Sequence, residues 1–364
     1  MDCENTTWNK GSPFDVRNFN VCISYKTSQE SGVLFGDYRK IKELVAVADI
    51  LVFFNAKYDL HWLRKLGIDF SNKRIWCCQL FEFLHGRMQK QYPSLEESCV
   101  QYDLGHKLDI IETEYWSKGV NTNDIPPEIL SKYALQDVEL TEKLFQTQLK
   151  IQRKHQRKLF NIQCQDLLVL EEMEWNGSFY NLEKSAEKAK ELENQIQELQ
   201  QGLNLYHNVP NFNWSSNDHL SALLFGGTIE ETIKVPNGFY KTGQKKGQIK
   251  FSNQLQTYVL PRKYKPVPKT ELAKGGVWSV EEDHLLQLKG DKTLIHGILK
   301  IKELEKLNNT YFKKYPKLHA EQHWRPGFIF ASFNQVTTRT GRLSSTRPNI
   351  QNIAEPALEL FESR

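Results

Sequence analysis

Apolar and polar positions along the chain fall into two regimes. Between residues 20 and 80 the apolar residues come in short runs bounded by polar clusters, the pattern of strands alternating with short helices. Residues 21–26 (VCISYK) and 33–36 (VLFG) read as strands, a short helix follows to about Ala48, and 49–55 (DILVFFN) is the continuous apolar run of a strand buried on both faces. Residues 55–68 (NAKYDLHWLRKLGI) then read as a helix whose Leu60, Leu63 and Leu66 face a core. Residues 74–80 (RIWCCQL) predict another strand, with short helices over 82–87, 94–102 and 108–116. The longest periodic stretch, 126–150, begins with Pro126 and Pro127, which suit a first helical turn, and carries a stripe of Ile129, Leu130, Leu140 and Leu144.

Beyond residue 150 long helical spacing dominates. A helix is predicted from 151 to a stop at Asn176 and Gly177, and a highly charged one from 182 to 204. Residues 214–217 read as a turn and N-cap before a short amphipathic helix, and a further helix starts near Leu294. Between Lys234 and Lys269 the pattern dissolves into Gly, Pro and polar residues. This stretch holds Lys234, Lys241, Lys245, Lys246, Lys250, Arg262, Lys263, Lys265 and Lys269, no acidic residue, and Phe239, Tyr240, Phe251, Tyr258 and Tyr264 between them. Such composition suits both a solvated flexible insertion and contact with a phosphate backbone. Residues 328–333 read as a strand whose sheet neighbours are expected beyond Arg364, and Thr340 to Ser345 as a tight turn.

Composition changes this picture little. With 39% hydrophobic and 25% charged residues the chain has an ordinary soluble profile. No apolar run reaches membrane-spanning length, and Asp2 and Glu4 directly after Met1 are the opposite of a basic signal-peptide start, so a cytoplasmic location without membrane contact is expected. Cys3, Cys22, Cys77, Cys78, Cys99 and Cys164 lack paired metal spacing and framework density and read as buried, reduced thiols. The net charge of +4 is too slight to announce nucleic-acid binding by itself.

Chemistry enters with carboxylates. Asp2 and Glu4, two apart, share one face if they lie on a strand, although an acidic pair at a chain start also suits a disordered terminus. Asn55 and Asp59 sit one helical turn apart where a strand feeds a helix. Tyr133 and Asp137 are likewise four apart beside the apolar stripe of the long helix, which alone suits a salt-bridged Asp and a half-buried Tyr. Four clustered acids repel unless divalent cations neutralise them, and hard oxygen ligands suit Mg²⁺ or Mn²⁺.

In this order the D-x-E, N-x-x-x-D and Y-x-x-x-D motifs resemble the tyrosine-bearing branch of the DEDD 3′→5′ exonucleases. The resemblance implies a ribonuclease H-like α/β fold with Asp2, Glu4, Asp59, Tyr133 and Asp137 as catalytic residues. It also implies a two-metal site in which Asp2, Glu4 and Asp137 hold the first ion, Asp2 bridges to the second, and Asp59 holds that one through water. Tyr133 would then orient the attacking water.

The stretch 330–353 (FASFNQVTTRTGRLSSTRPNIQNI) resembles the beginning of the palm in family A DNA polymerases, the DNA polymerase I family, in a phage-like version. That resemblance extends to thumb-like helices and implies DNA contacts by Arg342, Asn349, Gln351 and Asn352, with Arg339 nearby. Asn55 and the basic Lys245, Lys246, Arg262 and Lys263 join this set of expected DNA contacts. The expected organisation is an α/β exonuclease domain over 1–150, a mainly α-helical thumb over 151–327 with a basic tip at 234–269, and an incomplete palm over 328–364. The expected role is proofreading-type removal of 3′ nucleotides in DNA replication, with single-stranded 3′ ends and primer–template duplex as partners.

Because the chain stops before the family's first catalytic aspartate strand, no polymerisation by this chain alone is expected, and a separate C-terminal polymerase chain is an expected partner. The rival reading is a catalytically weak, DNA-clamping N-terminal half of a split polymerase. A stand-alone RNA-trimming nuclease is a third, against which the palm-like tail argues. If the chain is phage-encoded, its location is the host cytoplasm.

Overall fold

In a computed structural model, which describes residues 1–362, the chain divides into two compact units. One comprises Met1–Leu182 with Tyr315–Arg364, the other Glu183–Lys314. The architecture is mixed α/β, with small sheets among many helices.

The first unit opens with β1 (Asp2–Asn5), β2 (Asn20–Lys26) and β3 (Ser31–Leu34), an antiparallel sheet in that order with Asp2 opposite Ser24 and Glu4 opposite Cys22. Next come α1 (Arg39–Val47), β4 (Ile50–Phe53), α2 (Ala56–Lys65) and β5 (Arg74–Cys77), with β5 parallel to β4. Here the structure departs from the sequence pattern: β5 stops at Cys77 and α3 (Cys78–His85) starts at the next residue. An unbroken apolar run such as WCCQLFEF suits a buried strand and a buried helix equally, so periodicity cannot place the switch. After α4 (Leu95–Gln101), begun by a Ser94/Glu97 capping box, and the short α5 (Ile110–Glu114), the long α6 (Pro127–Ile151) crosses the sheets.

Leu140 and Leu144 of α6 join Ile23, Ile41, Phe53, Leu60, Leu63 and Leu80 in one core. Each such side chain contributes roughly 1.5–3 kcal/mol of hydrophobic stabilisation. The helix α7 (Lys154–Asn176), expected to belong with the helices after residue 150, lies against α2 and α3 through Phe160, Cys164 and Leu167. All six cysteines are buried and free. β6 (Ser178–Phe179) follows the left-handed Gly177, where a Cβ would lie 2.7 Å from Phe330.

The second unit holds α8 (Leu182–Leu203) and α9 (Asn217–Phe225), the latter capped by the Ser216 hydroxyl, which accepts from His219 N. Then come β7 (Gly227–Phe239), β8 (Ile249–Leu260), α10 (Glu282–Leu286) and α11 (Thr293–Leu307). The basic stretch is therefore a long antiparallel hairpin rather than a shapeless insertion, with Gly227 opposite Leu260 and Phe239 opposite Ile249. Its signal was the alternation of Ile229, Ile233 and Val235, the partly buried face of β7. Pro236, Gly238 and the lysines obscured it. Lys241, Lys245 and Lys246 sit in its exposed tip.

The chain then rejoins the first unit through α12 (Lys314–Glu321), β9 (Phe328–Ile329), β10 (Ser332–Asn334), β11 (Ser344–Thr346) and α13 (Glu355–Leu358). Two expectations are corrected here. The strand over 328–333 is two strands, and their neighbours lie within the chain: β9 pairs with β6, and β10 with β11. The turn falls earlier than expected, at Thr338–Gly341, because Ser344, Ser345 and Thr346 are taken up by β11. No helix among the described residues is long and apolar enough to cross a membrane.

Candidate active site: a carboxylate pocket in the first unit

β1 aims Asp2 and Glu4 to one side while Cys3 enters the core on the other, as strand alternation requires. The strand is fastened in three ways: to β2 by its ladder, to β4 by Met1 N donating to Val52 O (3.0 Å), and to α2 by Cys3 N donating to Asp59 Oδ1 (3.0 Å). It is not a frayed terminus. From α6, Tyr133 and Asp137 reach the same place, where Asp2, Glu4 and Asp137 offer carboxylate oxygens that all lie within 4.8 Å of one another. Asp59, buried at the start of α2, lies outside that trio, and its Oδ1 accepts from Cys3 N.

Asp2, Glu4, Tyr133 and Asp137, without Asp59, line a cleft of about 350 Å³ together with Asn5, Lys10, Tyr58, Lys107 and Trp116. Gly11 forms part of its rim in a left-handed conformation, with Tyr58 Oη donating to its carbonyl (3.1 Å) and lying where a Cβ would stand.

Electrostatics set this pocket apart. Burial first, and then the charges of Asp2 and Asp137, push the Glu4 carboxyl well above the ordinary range. Burial raises Asp137 to about 6 despite the nearby Lys107 ammonium, and burial and Asp2 raise Asp59. Burial, Glu4 and Asp137 also raise the Tyr133 phenol, which stays neutral and able to donate. Asp137 Oδ1 is buried without a hydrogen-bond partner. An orphaned carboxylate oxygen among acids that resist ionisation is what a hard divalent cation would complete, so Mg²⁺ or Mn²⁺ fits the donor set.

Lys107 is the functional-site residue that sequence pattern did not announce. Its loop is clamped to α4 by Glu96, which accepts from Lys107 N (2.6 Å), and to α6 by Gln136, which accepts from Leu108 N (2.6 Å) and donates to His106 O (3.0 Å). So held, Lys107 Nζ stands 2.6 Å from Asp137 Oδ2 and 3.2 Å from Tyr133 Oη. A lone lysine in a loop 30 residues before its partner leaves no periodic trace.

The expected DNA contacts are placed elsewhere. Asn55 is exposed beside the first turn of α2. Arg339 and Arg342 are exposed in the β10–β11 connection. Asn349, Gln351 and Asn352 are exposed after β11, where Asn349 Oδ1 accepts from Gln351 N (3.0 Å). Lys245, Lys246, Arg262 and Lys263 belong to the second unit, and Arg262 Nε donates to Phe225 O (3.0 Å), which pins part of its guanidinium.

Residues 230–362 match the sequence profile of DNA polymerase family A. The match covers the C-terminal part of the chain, from within the β7–β8 hairpin to the last described residue. Among curated proteins similar to this chain, the thermostable DNA polymerase I of Thermus filiformis is 43% identical over 88 residues, 24% of this chain and 10% of that one. DNA polymerase I of Bacillus subtilis is 27% identical over 261 residues, 70% of this chain and 24% of that one. The chain thus aligns with no more than about a quarter of the length of these relatives. A solved structure described as the POL domain of Pol1 from M. smegmatis, in complex with DNA primer-template and dNTP, shares the fold. Its TM-score is 0.61 at 18% identity, covering 96% of this chain and 53% of that one.

The pKa shifts make a prediction independent of activity. An acid whose pKa is raised by folding costs stability when it is ionised at neutral pH, so Glu4→Gln should raise the unfolding temperature in EDTA, by about 2–4 °C if roughly 1 kcal/mol is relieved. Mn²⁺ should raise the wild-type unfolding temperature and move that of Glu4→Gln much less. Thermal melts in EDTA and in Mn²⁺ measure both, and a Glu4→Gln variant that melts lower than wild type in EDTA contradicts the electrostatic reading.

Proposed function

We propose that this chain is a 3′→5′ exonuclease of proofreading type, part of a family A DNA polymerase, that removes terminal nucleotides from single-stranded DNA and also holds primer–template duplex. The observation that carries the nuclease reading is the approach of Asp2, Glu4 and Asp137 to within 4.8 Å, beside a neutral Tyr133. Asp2, Glu4 and Asp137 would hold one Mg²⁺ or Mn²⁺ ion, and Asp2 and Asp59 would help to hold a second. Such ions supply Lewis acidity at the terminal phosphate and at the departing 3′ oxygen. The protein's own part is positional: Tyr133 Oη orients the attacking water, and β1, fastened to β2, β4 and α2, keeps Asp2 and Glu4 in register.

With Mn²⁺, the purified protein should shorten a 5′-labelled single-stranded oligonucleotide one nucleotide at a time. A specific observation keeps the clamp reading alive: the family match lies on residues 230–362 and leaves out the carboxylate pocket. An oligonucleotide that is bound yet stays full length would favour that reading.

Duplex grip should separate into two electrostatic parts. Replacing Lys241, Lys245 and Lys246 at the hairpin tip by alanine should flatten the dependence of log affinity on log salt by up to about 0.9 per lost phosphate contact. Arg342→Ala, which removes a donor suited to minor-groove acceptors, should weaken binding at every salt concentration by about 1–3 kcal/mol. Titrations at several salt concentrations distinguish them, and equal slopes with and without the three lysines would make the tip a solvated loop only.

A further inference from the structure

We propose that Lys107 is a resident countercation of the carboxylate pocket, which competes with divalent ions for Asp137 and so sets how much metal the site requires. The inference rests on the reading of this pocket as a metal site. Three observations carry it.

The ammonium is built into place rather than passing by. Glu96 and Gln136 clamp its loop from both sides, and Nζ meets Asp137 Oδ2 at 2.6 Å and Tyr133 Oη at 3.2 Å while standing 5.1 Å from the Tyr133 ring centroid. Second, the two oxygens of Asp137 are treated unequally. Oδ2 is held by the ammonium, whereas Oδ1 is buried without a partner among the carboxylates of Asp2 and Glu4. Third, the Lys107 side chain keeps about a quarter of its surface in solvent, 28%, so it can withdraw along the cleft without unpacking the core.

A positive side chain and a divalent cation that share one carboxylate repel each other in a poorly hydrated pocket. Binding an ion and displacing Lys107 are therefore linked, and the lysine serves both states. Without metal it neutralises part of a buried acid cluster that would otherwise be strongly destabilising. With metal it yields Asp137 and remains beside Tyr133, within the cleft.

Mn²⁺ binding to the whole chain, followed by the paramagnetic resonance of the free ion and without DNA, tests this. Lys107→Met should bind Mn²⁺ roughly tenfold more tightly than wild type, and Lys107→Arg close to wild type, because arginine keeps the competing charge. The gain should vanish in the Asp137→Asn background. Lys107→Gln serves as a second neutral variant, and unfolding temperatures in EDTA show that the variants are folded. Unchanged or weaker Mn²⁺ binding by a folded Lys107→Met or Lys107→Gln overturns the proposal, since a purely structural lysine would leave the ligands less well placed when removed. A wild-type chain with no Asp137-dependent Mn²⁺ binding would overturn the metal-site reading along with it. Mn²⁺ binding that behaves as expected in a protein that leaves DNA intact would count against the exonuclease alone.

Discussion

Asp137→Ala should reduce 3′→5′ degradation of single-stranded DNA by about 10³-fold or more, a transition-state loss on the order of 4 kcal/mol. The size follows from what the carboxylate does. It contributes the Oδ1 that lacks a protein partner, and it closes the trio with Asp2 and Glu4. The fold should survive the change, because burial holds Asp137 at an unfavourable pKa near 6 and its removal relieves that cost. Single-turnover rates in Mn²⁺, with a thermal melt as control, measure the two effects separately. A variant that melts normally and degrades DNA at more than a tenth of the wild-type rate would remove Asp137 from the site.

The second large effect concerns stability, and it lies on the far side of α2. That helix presents Asp59 to β1 and, from Lys57, His61 and Arg64, grips α7. Lys57 Nζ meets Glu174 Oε1 at 2.6 Å and also donates to Phe333 O, while Glu174 Oε1 accepts from Phe333 N at 2.5 Å. Arg64 forks onto Glu171 at 2.8 and 2.6 Å. His61, kept neutral because burial and then Lys57 lower its pKa to about 3, places Nε2 3.1 Å from the Glu171 carbonyl, which can only accept.

Glu174→Ala would strand the Lys57 ammonium and the Phe333 amide together, so a loss of about 3–5 kcal/mol is expected in urea unfolding. Glu174→Gln, which keeps an acceptor, should lose about 1–3 kcal/mol. The alanine variant should also show faster amide exchange at β10 than at β2, since only β10 leans on this lock. A loss below 1 kcal/mol would mean that the ion pair contributes little against hydrophobic packing.

How much of this was legible in the sequence differs from element to element. The spacing of Tyr133 and Asp137 was legible because the apolar stripe of α6 names its buried face, whereas Asp2 and Glu4 share a face only once β1 is a strand, which the short DCEN segment does not announce. The order of strands and helices up to α6 followed from runs and stops of the same kind. The end of β5 was hidden by an apolar run common to strand and helix, and the hairpin by a composition of Gly, Pro and Lys that usually marks a loop. β9 and β10 find their partners in β6 and β11, through pairings that no local pattern encodes. Lys107 and the Lys57–Glu174 lock are likewise tertiary facts, formed across 30 and 117 residues of chain.

The central claim is that the carboxylate pocket releases nucleotides from a 3′ end. Its most direct test is digestion, in Mn²⁺, of an oligonucleotide carrying one label on the 3′-terminal nucleotide and another at an internal position. The expected result is release of the terminal label as a nucleoside monophosphate before any internal label leaves the oligonucleotide, with both releases absent in EDTA. Terminal label that stays on a fully bound oligonucleotide, or internal label released first, would contradict the account.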